Sequence, residues 1–367
     1  MNQTYTPKFQ EEYSAKIPAL TLLTSLGWTF LSPKQIMDYR GYKQDEVVLR
    51  PVLREELSKR SFMAGGKTCQ LSEKALDNLI SQVCSPALNE GLLKANERMY
   101  NHLLYGIAVT EFVDGKKVNP TIALIDWEHP ENNQFHFTEE FTVLRSGGVE
   151  TRRPDIVCFV NGIPLAVIEA KSPAGHGKKG PTIDEGISQS IRNQLNDEIP
   201  QLFVYSQLLL SINGHDGRYG TCHTPMKFWA AWREEDITDP QMYALRNHPL
   251  STEQIHALFD HRPSVDLKWY QQLIDGGELA VSGQDKLLIS LLSPERLLEM
   301  TRFFTLFDKK TGKIVARYQQ VFGIKRLLER ISTRRPDGGR EGGVIWHTTG
   351  SGKSYTMVFL SLSLIHI

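Results

Sequence analysis

Arg153–Lys171, RPDIVCFVNGIPLAVIEAK, sets two carboxylates and a lysine around one predicted β-hairpin. Asp155 opens an apolar run from Ile156 to Val160, Asn161-Gly162 breaks it, and a second run from Ile163 to Ile168 leads into Glu169-Ala170-Lys171. Side chains alternate along a strand, so Glu169 and Lys171 project to one side and Ala170 to the other. The placing of Asp155 depends on the turn. A two-residue loop at Asn161-Gly162 would pair Asp155 with Ile168 and leave Glu169 on the wrong face, whereas a three-residue loop, Asn161 to Ile163, pairs Asp155 with Glu169. The second register is the expectation, because a one-residue slip reverses faces and Pro164, lacking an N–H, suits a strand's start. Asp155 and Glu169 are then candidate ligands for Mg²⁺, which takes one or two carboxylates plus water and phosphate oxygens, with Lys171 offsetting charge on a phosphoryl group. Charges that end an apolar, buried strand are costly unless used, which favours a site over chance.

A second signal lies at Gly343–Ser354, GVIWHTTGSGKS, which predicts a short strand running into a phosphate-binding loop. Thr349, Gly350, Ser351 and Gly352 would supply backbone amides, Lys353 would reach the phosphates of ATP, and Ser354 would ligate its Mg²⁺. The strict loop pattern begins with glycine, and His347 stands there instead.

With Pro154-Asp155 and Glu169-Ala-Lys171 go Ile122-Ala-Leu-Ile-Asp-Trp, Glu131-Asn-Asn-Gln-Phe, Ile199-Pro-Gln-Leu-Phe-Val-Tyr-Ser-Gln, Lys227-Phe-Trp and Ala316-Arg-Tyr-Gln-Gln, ahead of Trp346-His-Thr-Thr-Gly-Ser-Gly-Lys-Ser. On these residues nearly the whole chain resembles the restriction (R) subunit of type I restriction-modification enzymes. The resemblance implies an α/β fold: a PD-(D/E)xK restriction-endonuclease-like mixed sheet flanked by helices, then a connector, then the first strand and P-loop of a RecA-like motor. It implies that Asp155 and Glu169 bind metal, that Lys171 is the catalytic lysine, that Lys353 and Ser354 bind ATP with Mg²⁺, and that Gln319 contacts adenine. The implied partners are double-stranded DNA and the methylation and specificity subunits. One element departs from the family: a Gln-x-x-x-Tyr motif is common there, and here Gln189 is followed at that spacing by Asn193. Ile183, Ile187, Ile191 and Leu195 recur at i+4 as an apolar stripe, which puts Gln189 and Asn193 on the opposite face, open either to solvent or to DNA.

The expected division is a nuclease domain over 1–235, a helical connector over 236–293, and the beginning of a motor domain over 294–361. Residues 362–367, LSLIHI, read as a non-native tail. Helices are predicted over Tyr13–Leu26, as an amphipathic segment headed by Glu11 and Glu12, and over Pro51–Lys59 and Ser72–Val83. Strands are predicted over Tyr105–Val113 and Pro120–Trp127 across the turn Asp114-Gly115, over Phe135–Leu144, and over Leu202–Ile212. Ser172–Thr182 reads as a Gly- and Lys-rich loop, with His176 able to touch phosphate.

Lysine plus arginine equals aspartate plus glutamate at 42 each, so a nucleic-acid surface must be a local patch rather than a global field. Hydrophobic residues at 40% and charged residues at 23% describe a globular chain. Cys69, Cys84, Cys158 and Cys222 form no C-x-x-C pair, which argues against zinc and disulfides. No apolar run spans a membrane, and a cytoplasmic protein is expected. Two other classes fit fewer of the motifs: a DNA-binding module with an inactive nuclease fold, marked by failure to bind metal at Asp155 and Glu169, and an unrelated P-loop ATPase, marked by ATP turnover.

Overall fold

The computed structural model describes residues 10–173, 182–346 and 352–365. Among these, six strands make one mixed sheet in chain order: β1 (Thr29–Phe30), β2 (Phe135–Glu139), β3 (Ile156–Val160), β4 (Ile163–Ala170), β5 (Leu208–Ile212) and β6 (Gly217–Gly220). β1–β2 and β4–β5 are parallel neighbours, and the other pairs are antiparallel. Every residue of β3, β4 and β5 is buried, which accounts for their continuous rather than alternating apolar sequence, since both faces of the sheet are covered. The mixed α/β class expected from sequence is the class formed.

The β3–β4 turn corrects the expected loop. Val160 pairs with Ile163, so the turn has two residues, and both Asn161 (φ 52°) and Gly162 (φ 81°) take the left-handed conformation of a tight hairpin turn. The turn is also inside the protein: Asn161 Nδ2 donates to Leu124 O at 2.9 Å, and a Cβ on Gly162 would lie 2.6 Å from Leu49 O. Two-residue geometry alone would have misplaced Asp155. A β-bulge reverses the parity: Phe159 pairs with Pro164 but Cys158 pairs with Ala166, leaving Leu165 as the extra residue. From there Val157 meets Val167 and Ile156 meets Ile168, and the next step in that register sets Asp155 opposite Glu169. The pairing is as expected, and its cause is the bulge beside Pro164 rather than a longer loop.

Helix α1 (Ile17–Ser25) continues a short π-helical turn, Glu12–Lys16, and is buried nearly all round rather than amphipathic. It packs against helices of the C-terminal half, and the residues that flank it are tied to them: Trp28 Nε1 donates to Leu292 O at 2.7 Å, and Gln284 Nε2 to Ala15 O at 2.9 Å. Arg50–Ser58 and Glu73–Cys84 are helical close to their expected bounds. Tyr105 ends a helix, Leu92–Tyr105, rather than starting a strand, and the strand expected over Phe135–Leu144 stops at Glu139. Leu202–Ile212 is only partly strand. Pro200 favours the first turn of a helix, Pro200–Phe203, after which Asn96 Nδ2 holds the carbonyls of Phe203, Val204 and Ser206 at 2.9, 2.9 and 3.1 Å, so β5 begins at Leu208.

Helix α2 (Thr182–Asn193) packs on β4 and β5. Residues 239–303 form helices that pack into the same core as the sheet, including α3 (Gly283–Leu292) against α1. A hairpin of Thr305–Asp308 and Gly312–Val315 leads to helix α4 (Tyr318–Ser332), anchored by Tyr219 Oη to Ala316 O at 2.8 Å and Tyr100 Oη to Thr305 O at 2.7 Å. The strand expected before the phosphate loop does not form over 343–346: no described strand lies beside these residues to pair with, and Val344 and Trp346 are 90% and 91% exposed. Helix α5 (Lys353–Ile365) follows. Among the described residues no helix is long and apolar enough to cross a membrane.

Candidate active site

The site lies where β3 begins and β4 ends. Asp155 is 7% exposed and Glu169 fully buried, side by side on one face. Asp155 Oδ2 accepts from the Ala170 N–H at 2.8 Å and pairs with Lys171 Nζ at 3.4 Å, while Lys171 Nζ also donates to Ala170 O at 2.7 Å. The alternation of β4 thus brings Asp155, Glu169 and Lys171 together, as the spacing predicted. Burial pushes the Glu169 carboxyl well above the ordinary glutamate range, and the adjoining Asp155 pushes it further, with Lys171 and Arg192 opposing.

Gln189 and Asn193 require a correction. Neither faces open solvent: Gln189 Nε2 donates to Glu169 Oε2 at 2.6 Å, and Asn193, fully buried, points Nδ2 at Glu169 Oε1 at 3.4 Å. Behind Asn193 the Arg192 guanidinium donates to its Oδ1 at 3.0 and 3.3 Å. An i+4 stripe advances about 40° per step on a helix of 3.6 residues per turn, so it winds away from the core. Ile183 and Ile187 are buried, but Leu195 is 53% exposed, and the face on β4 and β5 carries Gly186, Ser190 and Asn193.

Sequence reasoning missed the N-terminal helix as a source of charge. The Glu11 carboxyl is raised by burial first; Lys171 opposes and Asp155 adds to the shift, so Glu11 shares their electrostatic environment. Lys16 is buried between Glu12 and Glu140, and Glu140 also pairs with Arg153. In the sequence Glu11 is a helix-heading acid, and nothing in its local sequence announces this distant electrostatic coupling.

At the other candidate site, Lys353 and Ser354 open α5 and are exposed, with Gly352 at φ 83° before them. Gln319 is exposed, and its neighbour Gln320 turns inward, donating from Nε2 to Gly352 O at 3.2 Å. Thr349, Gly350 and Ser351 lie outside the described residues, as does His176.

Oxygen donors alone, two of them carboxylates, suit a hard cation such as Mg²⁺, which needs one or two protein carboxylates and fills its other positions with water and phosphate. Asp155 and Glu169 fit that demand, since a carboxylate oxygen that accepts one hydrogen bond keeps a second lone pair for a metal. Among the described residues no group of three or more histidine, cysteine, aspartate or glutamate side chains converges as an all-protein cage. The four cysteines are free.

Two carboxylates and a lysine thus meet at the end of a buried strand pair in a mixed sheet. Residues 8–228 match the family model of the type I restriction enzyme R protein N terminus, and the chain belongs to that family. Residues 319–366 match a model of the SWI2/SNF2 ATPase. The HindI type I restriction enzyme endonuclease subunit of Haemophilus influenzae is 29% identical over 361 residues, covering 95% of this chain and 30% of the relative. A Methanocaldococcus jannaschii protein named for the endonuclease subunit of a type I restriction enzyme, MjaIXP, is 26% identical over 372 residues, covering 96% of this chain and 31% of the relative. The chain therefore spans less than a third of the length of these two relatives.

Proposed function

We propose that this chain carries the nuclease centre of a type I restriction endonuclease R subunit and hydrolyses phosphodiester bonds of double-stranded DNA with Mg²⁺ held by Asp155 and Glu169. The observation that carries this reading is the pairing of Lys171 with Asp155 at 3.4 Å, beside a buried Glu169 in register with it. When bound, Mg²⁺ supplies Lewis-acid polarisation of the phosphoryl group. The Lys171 ammonium offsets charge that develops on the phosphoryl oxygens and orients the attacking water, and its contact with Asp155 fixes where it stands. Gln189 holds the Glu169 carboxylate by donating to Oε2. The fold is read as that of PD-(D/E)xK nucleases, on the order of helix, strands, helix and strand around these residues.

Lys353 and Ser354, at the start of α5, are read as nucleotide-phosphate contacts, with the backbone of 349–352 and with Gln319 near the adenine. In the whole subunit they would serve an ATP-driven motor that moves DNA, working with the methylation and specificity subunits. The test is Mg²⁺-dependent cleavage of supercoiled DNA by the 367-residue chain, with and without those partner subunits. Cleavage that needs the metal and disappears in Asp155→Ala and Glu169→Ala supports the reading, whereas cleavage unchanged by both substitutions refutes it.

A further inference from the structure

Helix α2 comes unusually close to the sheet at one point. A Cβ built on Gly186 would lie 2.3 Å from Ser211 Oγ, 3.3 Å from Ser211 Cβ and 3.4 Å from Glu169 Cβ. Ser211 stands beside Glu169 in the parallel β4–β5 register, and its hydroxyl is committed to Ile183 O at 2.8 Å, so it cannot turn aside without breaking that bond. Only glycine at 186 permits this approach. One and two turns further along, at i+3 and i+7, α2 presents Gln189 and Asn193, whose amides meet Glu169 Oε2 at 2.6 Å and Oε1 at 3.4 Å.

Resting on the metal-site reading above, we propose that Gly186 is a positioning residue: by letting α2 lie against Ser211 it seats the Gln189 and Asn193 amides on both oxygens of Glu169 and fixes that carboxylate as a metal ligand. Asn193 then occupies the place of the family's tyrosine as a donor to the ligand itself, steadied from behind by Arg192. Two donors, one on each oxygen, restrict the orientation of the carboxylate. Alanine is the better helix former, so a loss on Gly186→Ala cannot come from helix propensity.

The experiment is Mn²⁺ titration of the 367-residue chain by calorimetry, with a thermal melt of each variant. Gly186→Ala is expected to weaken Mn²⁺ binding about tenfold, the size of one hydrogen bond to a charged group, and Ser211→Ala to leave it unchanged. The double variant Gly186→Ala/Ser211→Ala, which removes the 2.3 Å contact, is expected to recover most of the affinity. Asn193→Leu, nearly isosteric and leaving the helix approach untouched, tests the clamp even where Gly186→Ala does not fold, and is also expected to weaken binding about tenfold. Equal affinity in wild type, Gly186→Ala and Asn193→Leu overturns the clamp while leaving the metal site standing. A wild-type chain that binds no Mn²⁺, or binds it equally after Glu169→Gln, overturns the metal site and the clamp with it.

Discussion

Asp155 stands across the strand pair from Glu169 although the turn joining their strands has only two residues, because the bulge at Leu165 restores the parity that the turn removes. The candidate site therefore depends on a backbone irregularity about four residues from its chemistry. Deleting Leu165 should rotate Glu169 away from Asp155, because a one-residue slip exchanges the faces of a strand. The expected result is loss of Mn²⁺ binding in calorimetry, and retention of wild-type affinity would show that the bulge does not set the register.

The turn itself gives a stability prediction. Gly162 has φ 81° and no room for a Cβ, with Leu49 O 2.6 Å from where one would sit. Gly162→Ala should cost about 2 kcal/mol or more, through left-handed strain and the close contact together. Denaturant unfolding measures this, and a change below about 0.5 kcal/mol would place the turn outside the rigid core.

Lys313 supplies a pH dependence. It is buried in the hairpin before α4, donating to Ser206 O at 3.0 Å and Gln207 Oε1 at 2.7 Å between the rings of Tyr100 and Phe307. Burial lowers its pKa from 10.5 to about 8, with Cys222 opposing. The unfolded chain then binds more protons than the folded chain above pH 8, so this residue makes stability rise with pH, by about 1 kcal/mol between pH 8 and 9. Above pH 9 the Cys222 thiol, raised by burial to about 11, acts in the opposite direction, because the unfolded chain loses that proton first. Lys313→Met should be more stable than wild type at pH 7 and lack the pH 8–9 rise, and matching pH profiles for the two proteins would contradict the account.

At the other end of the chain, Lys353→Ala should weaken binding of a fluorescent ATP analogue at least about tenfold while Mn²⁺ affinity at Asp155 and Glu169 stays unchanged. Coupled losses at both sites would mean that the two are not separate.

Much of this was legible in the sequence where apolar runs meet charges. The run from Ile156 to Ile168, closed by Glu169 and Lys171 and divided by Asn161-Gly162, declares a buried hairpin with a charged end, and the residues it brings together are those expected. What was not legible depended on tertiary packing. The bulge answers to Pro164 inside a fully buried strand, and Pro200 with the remote Asn96 turned half of an apolar run into a helical turn. On α2 the isoleucine stripe is the conspicuous pattern, whereas the face that meets Glu169 is marked by Gly186, a residue whose meaning is the absence of a side chain. Glu11 shares the electrostatic environment of Asp155 and Lys171 from far away in the sequence, a relationship that no local pattern encodes.

The proposed hydrolysis depends on joint binding of the metal by Asp155 and Glu169. Its most direct test is an anomalous difference map from crystals of the chain soaked in Mn²⁺. A single strong peak is expected between the two carboxylates, at about 2.1–2.2 Å from an oxygen of each, and absent in Glu169→Gln. A peak that persists in Glu169→Gln, or one bound elsewhere with none between Asp155 and Glu169, would contradict it.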